Sequence, residues 1–152
     1  MDSKTKEKVR YEIGQIEILL KEAKPLLDLS KSKEPDFGEK CGIALILHSF
    51  YQGVENMASH ILKHIEEHKP TGTRWHKSLL EAMFGENSKN IVILRKDLKI
   101  QIEKYLEFRH VVRSAYSHQL DWEKMEILVI NLEYVWKMIK SDVEMFIKKN
   151  EE

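Results

Sequence analysis

Apolar residues recur every three or four positions along most of the chain, which is the spacing of amphipathic helices. Helix one is predicted from Ser3 to Leu29. Its apolar stripe consists of Val9, Ile13, Ile16, Leu20, Ala23 and Leu27. Because Pro25 has no backbone N–H and its ring crowds the preceding turn, we expect it to kink or break this helix near Lys24. The polar run from Ser30 to Pro35 predicts a loop.

A second long helix and a short third helix are predicted next. Helix two extends from Asp36 to about His68. Its apolar residues are Ile43, Leu47, Phe50, Val54, Met57, Ile61 and Ile65. Proline and glycine in the segment Lys69-Pro70-Thr71-Gly72 are expected to end it. Helix three is predicted from Thr73 to Phe84, and a turn from Gly85 to Asn90.

Two more long helices are predicted in the second half of the chain. Helix four extends from Ile93 to Ser117, and Asp121 is a good N-cap for helix five. Helix five carries Trp122, Met125, Val129, Leu132, Trp136, Ile139, Val143 and Phe146 on one broad face. No strand alternation, repeat or long linker interrupts this pattern. The sequence therefore predicts an all-α, up-and-down bundle of four long helices and a short one, forming a single domain over residues 1–152.

The charge balance and the single cysteine limit the possible functions. The chain has 25 Lys and Arg against 25 Asp and Glu, so any electrostatic site must be local. Cys41 cannot form an internal disulfide, and its apolar neighbours predict a buried, inert thiol. These features favour a reducing cytoplasm. We expect no signal peptide, because the start at residues 1–6 leads into a charged periodic segment rather than an apolar h-region. We expect no membrane span, because no apolar run approaches about 20 residues.

Helix four contains an arginine within an apolar seam. The seam residues, spaced alternately by four and three, are Leu98, Ile102, Tyr105, Arg109, Val112 and Tyr116. A buried, unpaired guanidinium costs on the order of several kcal/mol, so Arg109 needs a partner. Arg113 lies one turn further on, and the two guanidiniums and the phenol of Tyr116 would together suit a phosphate. Alternatively, Arg109 pairs with a core carboxylate, for which Glu55 is the best placed.

Three segments of the chain form a recognisable combination. The main segment is Phe-Arg-His-Val-Val-Arg-Ser-Ala-Tyr at 108–116, followed by Leu-Asp-Trp-Glu at 120–123. Two upstream segments agree with it: Ser-Phe-Tyr-Gln-Gly-Val-Glu at 49–55 and Trp-His-Lys-Ser-Leu-Leu at 75–80. Together they resemble the HepT-like ribonuclease toxins of the HEPN superfamily, and the resemblance covers residues 42–146, which is most of the chain.

This resemblance implies a helical domain that acts as an endoribonuclease without a metal or other cofactor. Such toxins are typically homodimers with the active cleft at the subunit junction, so RNA and a second copy of the chain are the implied partners. A small nucleotidyltransferase antitoxin is also implied, and it can silence the toxin by adenylylating the motif tyrosine.

The family motif is an arginine, four residues, a histidine, one residue and a tyrosine. In this chain the arginine is Arg109 and the tyrosine, the candidate for adenylylation, is Tyr116. The histidine position is occupied by Ser114. Imidazole titrates near pH 7 and can transfer the protons of RNA cleavage, whereas a serine hydroxyl does not titrate there. Arg109 could still hold the phosphate, but proton transfer would have to come from another residue.

Two nearby histidines are candidates to replace the missing one. His110 lies on the same flank of helix four as Ser114, one turn earlier. His118 lies five residues after Arg113, which restores the arginine-to-histidine spacing in a shifted register. Alternatively, both histidines are ordinary exposed polar residues.

Three hypotheses follow. The first is an endoribonuclease toxin that binds RNA phosphate through Arg109 and Arg113. The second is a catalytically inactive HEPN-type module that binds a nucleotidyltransferase. The third is a dimeric helical scaffold, which full pairing of both arginines with internal carboxylates would favour.

Two further clusters carry weaker signals. His60, His64 and His68 are spaced like metal ligands, but nothing completes the set, so a solvated helix face is the favoured interpretation and no metal site is predicted. The basic residues at the entry to helix four can guide RNA or be ordinary surface charge. They are Lys89, Arg95, Lys96, Lys99 and Lys104.

Overall fold

Five α-helices build the fold of the computed structural model, which describes residues 1–66, 72 and 74–151. They are α1 (Ser3–Ser32), α2 (Phe37–Ile65), α3 (Trp75–Met83), α4 (Leu98–Ser114) and α5 (Trp122–Lys149). A 3₁₀ turn over Ser117–Gln119 lies between α4 and α5. The predicted all-α bundle is confirmed. None of the described helices is both long and apolar enough to cross a membrane.

Helix α1 continues through Pro25 without a break and ends at Ser32, so the predicted end at Leu29 was wrong. The apolar stripe is unbroken across the proline, because Ala23 and Leu27 are both buried. Pro25 itself faces solvent, as does Lys21, whose carbonyl loses its usual N–H partner. Water can satisfy that carbonyl, so packing on the other face holds the helix together.

Helix α2 occupies the centre of the bundle and contacts the four other helices. It begins with a capping box, in which the side chain of Asp36 accepts from the N–H of Glu39 at 2.8 Å and Glu39 accepts in return at 3.1 Å. It ends at Ile65, three residues before the predicted end. His68, the predicted terminator 69–71 and Thr73 lie outside the described residues.

Helix α4 begins at Leu98 rather than at the predicted Ile93. Residues 84–97 form a loop that the side chain of Asp142 ties to α5. Its carboxylate accepts from the backbone N–H of Arg95 at 2.9 Å and from the guanidinium at 2.6 Å. These tertiary hydrogen bonds hold Arg95 outside the helix, although the local apolar pattern favours helix there.

Helix α4 also ends earlier than predicted, at Ser114 instead of Ser117. The backbone of Ala115 and Tyr116 is extended, with ψ of 150° and 148°. The side chain of Gln119 accepts from the N–H of Tyr116 at 2.9 Å, which stabilises the 3₁₀ turn. Asp121 then caps α5 as predicted, accepting from the N–H of Glu123 at 3.1 Å.

The core between α2, α4 and α5 fixes the position of the helices that carry the candidate site. The ring of Phe50 contacts Tyr105 and Trp136 edge to face, with centroids 5.3 and 6.3 Å away. The hydroxyl of Tyr105 donates to the carbonyl of Leu128 at 2.7 Å, which links α4 to α5. Glu55 lies about 140° around α2 from Phe50 and is also buried, so α2 is covered on both of these sides.

Candidate functional site

A buried carboxylate on α2 joins three helices. Glu55 is only 4% exposed, and a buried charge requires partners. Its Oε1 lies 3.5 Å from Nε of Arg109 on α4, and its Oε2 lies 2.7 Å from Nδ1 of His76 on α3. We call Glu55, His76 and Arg109 the Glu55 cluster. The pairing of Arg109 with Glu55, one of the two alternatives open for the seam, is confirmed.

Arg109 is only 7% exposed, so its side chain is buried and does not reach the surface of the protein as an open fork. Among the described residues, its Nε has no hydrogen-bond partner, because the 3.5 Å contact with Glu55 lacks hydrogen-bond geometry. The contact is therefore an ion pair. Arg109 supplies positive charge beneath the end of α4 rather than an exposed fork.

His76 is held in one orientation by Glu55. Both carboxylate oxygens lie within hydrogen-bond distance of Nδ1, at 2.7 and 3.0 Å. Since a carboxylate accepts, Nδ1 carries the proton, and Nε2 of a neutral ring keeps its lone pair. The imidazole also packs on the ring of Trp75, with centroids 3.6 Å apart. Sequence reasoning did not single out His76, and the signal available was that a buried glutamate needs more than one partner.

His48 and Tyr51, also on α2, lie in the field of the same charges. Half-burial lowers the pKa of His48, and the positive charges of Arg109 and Arg113 lower it further, whereas Glu55 opposes the shift. Burial, aided by the charge of Glu55, raises the pKa of the Tyr51 phenol above its ordinary range. Both side chains are therefore neutral near pH 7.

The end of α4 presents its remaining candidates to solvent. His110, Arg113 and Ser114 are exposed, and the hydroxyl of Ser114 donates to the carbonyl of His110 at 2.6 Å. Tyr116 is 75% exposed, and its ring stacks on His118 with centroids 5.6 Å apart.

This arrangement corrects the predicted seam. Tyr116 does not share a helix face with Arg109, because α4 ends two residues before it. Arg109 is buried while Arg113 is exposed, so the two guanidiniums do not lie side by side on one surface. The hypothesis that both arginines pair with internal carboxylates therefore holds only for Arg109.

A cavity of about 310 Å³ lies between the start of α3 and the middle of α4. It is lined by Arg74, His76, Lys77, Glu103, Leu106, Glu107 and His110. It brings together His110, which the sequence suggested, and His76, which the sequence did not. The other predicted residues do not line this cavity.

The histidines of α2 are less exposed than the predicted solvated helix face requires. His60 and His64 are half-buried, and His60 lies 3.8 Å from Glu12, because α1 covers this side of α2. Burial lowers the pKa of both histidines. Over the part of the chain that the structure describes, no group of three or more His, Cys, Asp or Glu side chains could hold a metal ion. Cys41 is half-buried rather than fully buried.

Comparison with known proteins points to one family. A family model described as HepT-like protein matches residues 42–150. The matched segment includes the Glu55 cluster, the cavity and the exposed end of α4. No curated protein and no solved structure is significantly similar to the chain.

Proposed function

We propose that this chain, which belongs to the HepT-like protein family, is a metal-independent endoribonuclease toxin restrained by a nucleotidyltransferase antitoxin. The observation that carries the proposal is that the end of α4 holds a buried arginine, Arg109, and about one turn later an exposed one, Arg113. Arg113 is free to bind an RNA phosphate, since its planar fork matches the phosphate oxygens. Arg109, fixed by Glu55, adds positive charge from below. Both RNA and the antitoxin would be met in the cytoplasm.

The exposure of Tyr116 supports the antitoxin part of this proposal. A phenol that is to accept an adenylyl group must enter the active site of another enzyme. Tyr116 lies outside the helix, 75% exposed, on an extended backbone. Modification there would add a bulky, charged group within three residues of Arg113, which would obstruct RNA binding.

An exposed apolar stripe on α5 supports the proposed homodimer. Ile127, Ile130 and Tyr134 follow the spacing of a helix–helix seam, and all three are at least half exposed. In an antiparallel crossing centred on Ile130, the residue seven positions earlier faces the residue seven positions later. Glu123 of one copy would then lie beside Lys137 of the other, so the charges are complementary.

One observation favours the second function, a binding module without catalysis. The hydroxyl of Ser114, at the motif histidine position, donates to the carbonyl of His110 and is satisfied within the helix end. No proton-transfer group stands at that position. A chain that has lost catalysis would still present Tyr116 to a nucleotidyltransferase.

Induced expression in bacterial cells tests the two functions against each other. The variants are the native chain, Arg113→Ala, Ser114→His and, as the matched control, Ser114→Ala. The ribonuclease proposal predicts growth arrest by the native chain, relief in Arg113→Ala, and rescue by co-expressed nucleotidyltransferase. Harmless expression of the native chain, with growth arrest only for Ser114→His, would establish the binding module instead.

A further inference from the structure

We infer that His76 takes the proton from the attacking ribose hydroxyl in the cavity between α3 and α4, and that His110 protonates the leaving oxygen. This inference rests on the proposed ribonuclease function and assigns its missing proton-transfer groups. It places the chemistry at the cavity rather than at Ser114.

The first support is the hydrogen bond between His76 and Glu55. Nδ1 lies 2.7 Å from a carboxylate that is almost fully buried, so one tautomer is fixed. An imidazole held in this way by a carboxylate is the usual arrangement of a general base, because the carboxylate stabilises the imidazolium that forms. The side chain of His76 is 17% exposed, so it is not sealed in the core.

The second support is the set of residues that line the cavity together with His76. A second imidazole, that of His110, enters from α4, so one cavity holds both a proton acceptor and a proton donor. The wall at the start of α3 carries the cations of Arg74 and Lys77, which suit a phosphate. The wall on α4 carries Glu103 and Glu107, whose oxygens accept from sugar hydroxyls or base amino groups.

The size of the cavity agrees with a single nucleotide unit. Its volume of about 310 Å³ is at the low end of the range for small-molecule sites, about 300–1,000 Å³. An RNA chain would therefore place one sugar and its phosphate in the cavity, with the rest of the strand outside. Arg113 lies about one turn beyond His110 on α4 and is exposed, so it is placed to meet a neighbouring phosphate.

The proposed reaction is an internal transesterification, in which the RNA supplies both the attacking 2′-hydroxyl and the leaving 5′ oxygen. Nε2 of His76 removes the proton of the 2′-hydroxyl, and the 2′ oxygen forms a bond to the adjacent phosphorus. The bond from phosphorus to the 5′ oxygen breaks, and protonated His110 donates its proton to that oxygen. The products are a 2′,3′-cyclic phosphate and a 5′-hydroxyl, and both histidines regain their starting states by exchange with water.

The test measures RNA cleavage in excess chelator by the native chain, His76→Gln, His76→Ala and, as the control histidine away from the cavity, His64→Ala on α2. Glutamine can still donate to Glu55, which protects the fold, but it cannot accept the proton. Both His76 variants should lose about 100-fold or more in rate, and added imidazole should restore His76→Ala but not His76→Gln. His64→Ala should cleave at the native rate.

The outcomes distinguish the role of His76 from the proposed ribonuclease function. Full activity of His76→Gln with an active native chain would overturn the role of His76 and leave the ribonuclease proposal standing. A rate loss in folded His76→Ala that imidazole does not restore would also count against proton transfer. Absence of cleavage by the native chain would overturn both.

Discussion

At the scale of the residue, Glu55 holds the site together by balancing Arg109 and orienting His76. Replacing it by glutamine would leave a buried guanidinium without its counter-charge. We expect Glu55→Gln to lower the free energy of unfolding by about 3–5 kcal/mol. Urea titration measures this, with the exposed Glu107→Gln as control. A loss below about 1 kcal/mol, the value of a surface ion pair, would contradict the buried cluster.

A second prediction at the residue scale concerns His48 and the pH dependence of stability. Its pKa is lowered in the folded state, so below about pH 6.5 the unfolded chain binds protons more readily than the folded chain. Stability should therefore fall as the pH drops from 7.5 to 5.5. Because His60 and His64 shift in the same direction, His48→Asn should reduce this fall without abolishing it. Urea titrations at both pH values measure it, and an unchanged fall would contradict the account.

The sequence predicted part of this site for a physical reason. An arginine in an apolar seam demands a carboxylate, and Glu55 was the available one on the facing helix. His76 could not be predicted in the same way, because its contact with Glu55 depends on how α3 docks against α2. That docking leaves no periodic pattern in the sequence.

At the scale of the element, helix existence followed from periodicity, but helix ends did not. Pro25 was expected to end or kink α1, yet the stripe on its buried face continues to be packed. The start of α4 is set by Asp142, which lies 47 residues after Arg95. Such a distant hydrogen bond overrides local propensity, and single-sequence reasoning has no means to detect it.

The hydrogen bonds between Arg95, in the loop before α4, and Asp142 on α5 give a testable prediction at this scale. Asp142→Ala would leave the backbone N–H and the guanidinium of Arg95 without their acceptor. We expect Asp142→Ala to lower the free energy of unfolding, chiefly because the backbone N–H of Arg95 loses its acceptor. Thermal or urea unfolding measures it, with Glu144→Ala as the control on the same helix. Equal stability of the two variants would show that Asp142 does not fix the loop.

At the scale of the whole molecule, the succession of long amphipathic segments along the chain was sufficient to predict an all-α bundle. The amphipathic pattern specifies which face of each helix is buried. It does not specify which helix lies against which, so the cavity between α3 and α4 was beyond prediction. The central place of α2 became apparent only in the folded structure.

The proposed dimer is tested at the same scale. Ile130→Glu places a charge at the centre of the α5 stripe, so we expect it to convert a dimer into a monomer. Ile18→Glu on α1 is a matched control, because both isoleucines are 56% exposed. Light scattering at micromolar concentration measures the mass. A native monomer, or an Ile130→Glu dimer, would contradict this interface.

The most direct test of the central claim is cleavage of a single-stranded RNA by the purified native chain in excess chelator. Arg113→Ala is compared with Arg10→Ala, an exposed arginine on α1 that pairs with Glu151 near the end of the chain. We expect metal-independent cleavage that falls about 10- to 100-fold in Arg113→Ala, through the loss of a charge-assisted hydrogen bond to phosphate, and that is unchanged in Arg10→Ala. Cleavage that requires added metal, or that is equal in both variants, would contradict it.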